Sequence, residues 1–188
     1  MVEMTLEAVP ALGGLDEEIR QNRILERHDL ALTSIAVPLG GEAAFADKLK
    51  QHWTLDVPSP RISTSSNGIY AVSMTSDQIM LLQPGDGSDT ERAVKEKLGG
   101  AGYTTNQTDA WVCLEVSGPQ TLLALERICP TDLDLDVFPT GASARTHMEH
   151  LGALIIRLGA ERFLLCSASS SAQSFADAIR QSYRNVMD

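Results

Sequence analysis

Apolar residues recur along this chain at two different spacings, and the change from one spacing to the other predicts its elements. The apolar run Leu30–Leu39 predicts a strand. Phe45, Leu49 and Trp53 then recur every four residues, which is typical of the buried face of a helix over EAAFADKLKQHW. The segments IYAVSM and QIMLLQ, separated by TSD, predict a hairpin, and a further helix ends at Gly99-Gly100.

The second half of the chain repeats this order. A strand at AWVCLEV precedes a helix over Gln120–Ile128, and SARTHME predicts another strand. GALIIRL and ERFLLCS predict a hairpin around Gly159-Ala160. The spacing of Phe175, Ile179 and Tyr183 then marks the apolar face of a last helix.

The two halves align at an offset of about 83 residues, which places MLL of the first hairpin on FLL of the second. This periodicity predicts two tandem β-α-β-β-α units, over about 29–105 and about 106–188. We therefore predict an α+β fold class, in which antiparallel sheets carry helices on one face.

Residues 1–28 stand apart from this pattern as an N-terminal arm before a domain over 29–188. They are polar, Gly13-Gly14 interrupt them, and Leu15–His28 has the composition of a short helix. The sequence leaves two alternatives for the arm, which are a mobile tail and a segment that orders on a partner.

Composition narrows the class of protein. The hydrophobic share is 43%, which is ordinary for a packed domain, and the formal net charge of −10 repels phosphate, so no nucleic-acid partner is expected. The longest apolar run, Leu151–Ile156, is too short to cross a bilayer, and Met1–Ala11 lacks the basic start of a signal peptide. Cys113, Cys129 and Cys166 are far apart, which favours reduced thiols. We expect a cytoplasmic protein with no membrane partner.

Candidate chemistry is concentrated after the predicted helix over Gln120–Ile128. Cys129 follows the C-terminus of that helix, where the dipole disfavours a thiolate, so a buried structural cysteine is favoured over a reactive one. Asp132, Asp134 and Asp136 alternate with apolar residues, which places three carboxylates on one face of an extended segment. A Ca²⁺ loop needs a glycine turn and a distal glutamate that this segment lacks, so a solvated edge is the favoured interpretation.

Arg145, His147 and Glu149 alternate in the same way and share one predicted strand face. A histidine and a glutamate are the residue types of a general-base pair, and Ser143 allows a Ser-His-Asp arrangement to be drawn. The alternative is a polar strand face that meets solvent or a partner. We treat Arg145, His147 and Glu149 as candidate partner-contact residues and assign no catalytic, cofactor-binding or metal-binding residue. Trp53 and Trp111 are predicted core residues.

A series of short motifs runs from Trp111 to Ala178. They are Ser117-Gly118-Pro119, Cys129-Pro130, Asp132-Leu133, Phe138-Pro139, Gly141, Ala144-Arg145-Thr146 and the hairpin into RFLLCSASS. With these motifs, the stretch resembles the gamma subunit of heterotetrameric sarcosine oxidase, whereas residues 30–100 match only in the order of elements and residues 1–28 do not match. That family is in turn similar to the folate-binding domain of the glycine-cleavage aminomethyltransferase (T-protein), so the resemblance implies this domain's fold.

The resemblance also locates a missing group. In the T-protein, the catalytic aspartate lies in a turn of the form Gly-Gly-x-x-Asp-Asp. The corresponding segment here is Gly152-Ala153-Leu154-Ile155-Ile156-Arg157, which has no aspartate at that position in either register of the glycine. An aliphatic side chain cannot accept a proton. The resemblance therefore implies a domain that has the fold without the transferase chemistry.

By the same resemblance, the chain is a non-catalytic structural subunit of a sarcosine oxidase, with alpha, beta and delta subunits as partners. FAD, FMN and NAD are implied on the alpha and beta subunits, zinc on the delta subunit, and tetrahydrofolate on the alpha subunit, with no cofactor in this chain. Sarcosine would be oxidatively demethylated on the beta subunit, and its methylene group passed to tetrahydrofolate. Two alternatives remain, which are a stand-alone folate-binding module without transferase activity and an independent enzyme that uses Cys129 or His147.

Overall fold

A computed structural model describes residues 9–187, which form eleven strands, four α-helices and two short 3₁₀ helices. The strands are β1 (Asp16–Ile19), β2 (Asn22–Glu26), β3 (Leu30–Ala36), β4 (Thr64–Ser66), β5 (Ile69–Ser73), β6 (Gln78–Pro84), β7 (Tyr103–Asn106), β8 (Trp111–Ser117), β9 (Ser143–Met148), β10 (Leu151–Gly159) and β11 (Arg162–Ala168). The helices are α1 (Glu42–Trp53), α2 (Gly87–Leu98), α3 (Thr121–Glu126) and α4 (Ala172–Met187).

The strands form two sheets that pack face to face. One sheet has six strands in the order β1-β2-β8-β11-β10-β9, and the other has five in the order β4-β5-β6-β3-β7. Every pairing is antiparallel. Side chains of β3, β5 and β6 meet those of β8, β10 and β11 in one apolar layer.

Helices cover the two outer faces. Phe45, Leu49 and Trp53 of α1 pack with α2 on the five-stranded sheet. Helices α3 and α4 pack on the six-stranded sheet, where Tyr183 shares a 2.8 Å hydrogen bond with Thr121, and burial raises the pKa of Tyr183 to about 12. The predicted α+β class, with antiparallel sheets that each carry helices on one face, is confirmed. No helix within residues 9–187 is long and apolar enough to cross a lipid bilayer.

The two halves share one strand order, because β3, β6, β5 and β4 occupy the positions that β8, β11, β10 and β9 occupy in the other sheet. The strand predicted at SARTHME is β9, and the sequence pattern does not predict its short counterpart β4 in the first half. The pairing of MLL with FLL is wrong by one residue. Met80 and Leu82 face the other sheet, as Leu164 does, whereas Phe163 and Leu165 face the helices. A shift of one residue in a strand exchanges its two faces.

The halves are interlocked by an exchange of strands. Strand β2 directly precedes β3 in sequence but pairs with β8 in the other sheet. Strand β7 directly precedes β8 but pairs with β3. Counted from these short strands, each repeat therefore gives one strand to the sheet of the other. The predicted unit over 29–105 contains nearly all of the five-stranded sheet, whereas the unit over 106–188 lacks β1 and β2.

The predicted helix over Leu15–His28 is wrong. Residues 16–26 form the β1–β2 hairpin, with Asn22, Ile24 and Glu26 buried at the strand period of two. The Glu26 carboxylate accepts hydrogen bonds from the backbone N–H groups of Leu12 (2.9 Å) and Gly14 (2.8 Å), which fold residues 10–15 over the hairpin. The described part of the predicted arm is thus packed in the sheet, and residues 1–8 lie outside the described residues.

Gly118, the glycine of the Ser-Gly-Pro motif, is required by a close approach of two backbones. Its φ is +127°, and a Cβ there would lie 2.6 Å from the carbonyl oxygen of Gln21 and 2.7 Å from the Cα of Asn22. Asn22 is buried against this turn, where it accepts a 3.0 Å hydrogen bond from the backbone N–H of Gln120 and donates a 2.8 Å one to the Gln120 side chain. The motif therefore joins the β1–β2 hairpin to the start of α3.

We expect Gly118→Ala to lower the free energy of unfolding by about 2–4 kcal/mol, because the backbone conformation is unfavourable for alanine and the new methyl group overlaps backbone atoms. Gly152→Ala is the matched control, since Gly152 lies in β10 with nothing within 4 Å of its Cβ position. The control is expected to change stability by less than about 0.5 kcal/mol. Urea unfolding followed by circular dichroism measures both, and equal effects would contradict the assignment.

Candidate partner-contact site

The polar segment between α3 and β9 is a loop of residues 129–142 fastened to the sheet. Cys129 is buried, and its backbone N–H donates to the carbonyl of Leu125 at 2.9 Å. Asp132 and Asp134 are exposed, and each accepts a hydrogen bond from the backbone N–H two residues later, at 3.0 and 2.9 Å. Asp136 is also exposed. The carboxylates thus shape the loop in contact with solvent.

Arg157, on β10, lies between this loop and the sheet, and it is the largest fully buried side chain of the described residues. Its Nη1 donates to the carbonyls of Leu133 (2.7 Å) and Phe138 (2.9 Å), on the two arms of the loop. Its Nη2 donates to Ala160 at 2.7 Å, and its guanidinium carbon lies 4.8 Å from the ring centre of Phe163. Burial lowers the pKa of Arg157, and the nearby Asp134 carboxylate opposes that shift.

The three candidate partner-contact residues do not form one row. Arg145 and His147 lie exposed on the same face of β9, as the alternation predicts. The Arg145 guanidinium donates a 3.0 Å hydrogen bond to the carbonyl of Met74, in the turn between β5 and β6 of the other sheet. Glu149 lies beyond the strand, at a left-handed φ of 52°, and its backbone N–H donates to Ile128.

The alternative catalytic arrangements are not assembled in the described residues. Ser143 and His147 are four residues apart on one strand, a distance of about 13 Å, so their side chains do not meet. No hydrogen bond or ion pair joins His147 to Glu149 within residues 9–187. In the same range, no group of three or more His, Cys, Asp or Glu residues is placed to hold a metal ion.

The segment that corresponds to the catalytic turn of the T-protein is strand β10, and its side chains are buried. Ile155 packs toward α3 and α4, and Ile156 packs in the layer between the sheets. Arg157 follows and donates hydrogen bonds to the carbonyls of the 129–142 loop. All three are at most 2% exposed. None of them presents a carboxylate or a route to solvent.

A cleft of about 660 Å³ opens near the start of β8 and is partly lined by half-buried Trp111. Thr108 and Asn106 contribute hydrogen-bonding groups. Charged residues of both signs also line the cleft, with Glu26, Asp86, Asp89 and Asp109 beside Arg27 and His28. An indole ring flanked by hydrogen-bonding groups suits a heteroaromatic ligand. Trp53, by contrast, is buried and donates to the Gln83 side chain at 2.8 Å, which confirms it as a core residue.

Sequence reasoning missed the role of Arg157. The available signal is the arginine itself, which interrupts the apolar run GALIIRL on the side of the strand that faces the helices. A charged residue at a core position of a strand predicts a buried polar partner. Here the partners are loop carbonyls, which carry no mark in the sequence.

Comparisons with known proteins identify the fold. No protein-family model and no curated protein matches the chain. A chain of the heterotetrameric sarcosine oxidase from Corynebacterium sp. U-96, in complex with pyrrole 2-carboxylate, is similar with a TM-score of 0.77 at 17% identity, and the match covers 90% of this chain and 87% of that one. Aminomethyltransferase T of the glycine cleavage system from Bartonella henselae is similar with a TM-score of 0.57 at 13% identity. That match covers 85% of this chain but 45% of the transferase, so this chain spans less than half its length. The likeness confirms the fold that the resemblance implied.

We expect Arg157→Met to lower the free energy of unfolding by about 2–4 kcal/mol, because it leaves buried carbonyls of the 129–142 loop without donors. Limited proteolysis is expected to cut the variant first within this loop. Arg162→Met is the control, since Arg162 is 53% exposed and lies 3.8 Å from Glu115, and it is expected to cost less than about 0.5 kcal/mol. Thermal and urea unfolding measure the difference, and an unchanged loop in Arg157→Met would contradict its role.

Proposed function

We propose that this chain is a non-catalytic structural subunit of a heterotetrameric sarcosine oxidase, in the position of the gamma subunit. The observation that carries the proposal is a structural match that covers nearly all of both chains, 90% of this one and 87% of the sarcosine oxidase chain. The two chains are therefore close in length as well as in fold. The match to the aminomethyltransferase covers 45% of that chain, so it supports a shared domain and not a shared whole.

The absence of a carboxylate in the matched turn supports a non-catalytic role. The positions hold Ile155, Ile156 and Arg157, which are buried in the core or against the 129–142 loop. No side chain there accepts a proton from a folate amine. Replacement of a catalytic turn by core residues is compatible with a domain whose surfaces, rather than its pockets, are under functional constraint.

In the proposed complex, the chemistry belongs to the other subunits. The alpha, beta and delta subunits are the proposed partners, and they carry FAD, FMN, NAD, zinc and the tetrahydrofolate site. The complex oxidatively demethylates sarcosine and transfers the methylene group to tetrahydrofolate. This chain holds the flavin-bearing subunits together. We propose a cytoplasmic location, which the three buried, unpaired thiols support.

Purification of the tagged chain from its native cells, grown on sarcosine, tests this proposal. We expect a yellow eluate with flavin absorbance bands and sarcosine-dependent peroxide formation, because an obligate subunit buries more than about 2,000 Å² against its partners and stays bound during purification. An untagged strain is the control for flavoproteins that bind the resin. A colourless eluate that contains this chain alone would count against the subunit role.

A stand-alone folate-binding module is the second candidate, and the cleft beside Trp111 favours it. If this function holds, a reduced folate quenches tryptophan fluorescence with saturation below about 100 μM, which corresponds to about 5–6 kcal/mol. Trp111→Phe is the matched variant, because the remaining Trp53 is 4% exposed and reports only on the core. A flat titration, or equal quenching in Trp111→Phe, removes this candidate.

A further inference from the structure

Strand β9 is the edge of the six-stranded sheet, and the segment 61–63 bridges only its start, next to Ala142 and Ser143. The hydrogen bonds of β9 show which of its backbone groups face outward, away from β10. The N–H of Ser143 donates outward to the carbonyl of Arg61 at 2.9 Å, and the N–H of Glu149 donates outward to Ile128 at 2.8 Å. Because N–H and C=O groups of alternate residues point to the same side of a strand, those of Arg145 and His147 also point outward. Within residues 9–187, no hydrogen bond is formed by these four groups.

The two edges of this sheet differ in charge. The opposite edge, β1, has the sequence DEEI, and its acidic side chains protect it from pairing with another chain. The β9 edge has Arg145 and His147 instead, with no proline or carboxylate inside the strand. It therefore lacks the negative charge that dominates the rest of this chain.

A groove of about 440 Å³ runs beside the β9 edge, between the strand and the turn that joins β5 to β6. Arg61 and Arg145 line it, and no Asp or Glu within residues 9–187 does, in a chain whose formal net charge is −10. Neither arginine forms an ion pair with a described carboxylate. Two unneutralised guanidinium groups on one groove favour an anionic ligand, since arginine binds carboxylates through two parallel hydrogen bonds.

The hydroxyl group of Ser143 gives an independent indication of a ligand. Ser143 lines the same groove, lies on the same face of β9 as Arg145, and is 1% exposed. Its Oγ atom has no hydrogen-bond partner in the described residues. A buried hydroxyl without a partner is destabilising, so a group that enters the groove and bonds to it is favoured.

We infer that the β9 edge is a docking strand for an extended, acidic segment of a partner subunit, which pairs with the backbone of Arg145 and His147 and places a carboxylate between Arg61 and Arg145. A second copy of this chain does not fit, because two β9 edges side by side would bring like charges together across the pair. The inference rests on the proposed function for the existence of a partner complex, and it specifies where and how one partner binds.

Hydrogen exchange of single backbone amides tests the docking strand, with the chain expressed alone compared with the chain as it purifies from its native cells. We expect exchange at Arg145 and His147 to slow at least about tenfold in the complex, because the added strand accepts and donates at these groups. Ala144 and Thr146 are internal controls. Their amides face β10 and are protected in both samples.

Charge reversal provides the second measurement. Arg61→Glu with Arg145→Glu is expected to reduce the amount of co-purified partner about tenfold or more, because two repulsive charges replace two attractive ones. Arg92→Glu with Arg184→Glu makes the same change of charge on exposed faces of α2 and α4 and is expected to leave the yield unchanged. Unchanged protection of Ala144 and Thr146 in the first variant verifies that its sheet is intact.

The outcomes separate this inference from the proposed function. A yellow, active complex with unprotected Arg145 and His147 amides, or with full yield after charge reversal, overturns the docking strand and leaves the subunit role in place. A complex without flavin or oxidase activity, in which both amides are protected and charge reversal removes the partner, supports the docking strand and overturns the sarcosine oxidase role. A chain that purifies alone with both amides exchanging freely overturns both.

Discussion

The apolar layer between the two sheets is the interaction on which the rest of this structure depends. Five residues of one sheet and five of the other bury their side chains there, and the exchange of β2 and β7 ties each sheet to the other half of the chain. Cys113 and Cys166 are paired on adjacent strands in this layer with their sulfur atoms 3.2 Å apart, and the hydrogen bond between the two thiols, together with burial, raises the pKa of Cys166 well above its ordinary value. The Cys166 thiol therefore stays neutral, as a dry interior requires.

The two notable arginines of the six-stranded sheet both lie outside this apolar layer. Arg145 lies where the six-stranded sheet extends past the turn between β5 and β6, and it bonds to Met74 across the rim. Arg157 lies on the opposite face of the same sheet, where neither helix reaches, and it supports a loop instead of a site. Arg157 is buried because α3 is short and the 129–142 loop covers the sheet in its place. Arg145 is exposed because it lies at the rim between the two sheets. Position in the layers thus separates a contact residue from a structural one.

The spacing of apolar side chains explains which elements could be predicted from the sequence. Helix α1 spans the predicted residues Glu42–Trp53, because its three buried residues on one face are enough to define it. The sequence predicts a helix at the β1–β2 hairpin because DEEI has no apolar alternation and because the buried residues of β2 include Asn22 and Glu26, whose partners are backbone groups. The acceptors of Arg157 and the outward groups of β9 are also backbone atoms. Sequence patterns describe side chains, so the parts of the site built from backbone groups were not visible in them.

The same fold occurs in a transferase and in a subunit of an oxidase complex, so the fold does not decide between them. This chain differs in two places, which are the segment matched to the catalytic turn and the edge of the six-stranded sheet. The segment that the resemblance places at the catalytic turn of the transferase is here part of strand β10, with Ile155 and Ile156 packed on its two faces. At the same time, a basic groove and an unsatisfied buried hydroxyl lie at the edge of the sheet, where a stand-alone domain gains nothing from either. A partner segment that binds in the groove would neutralise the two arginines and give the Ser143 hydroxyl a hydrogen bond.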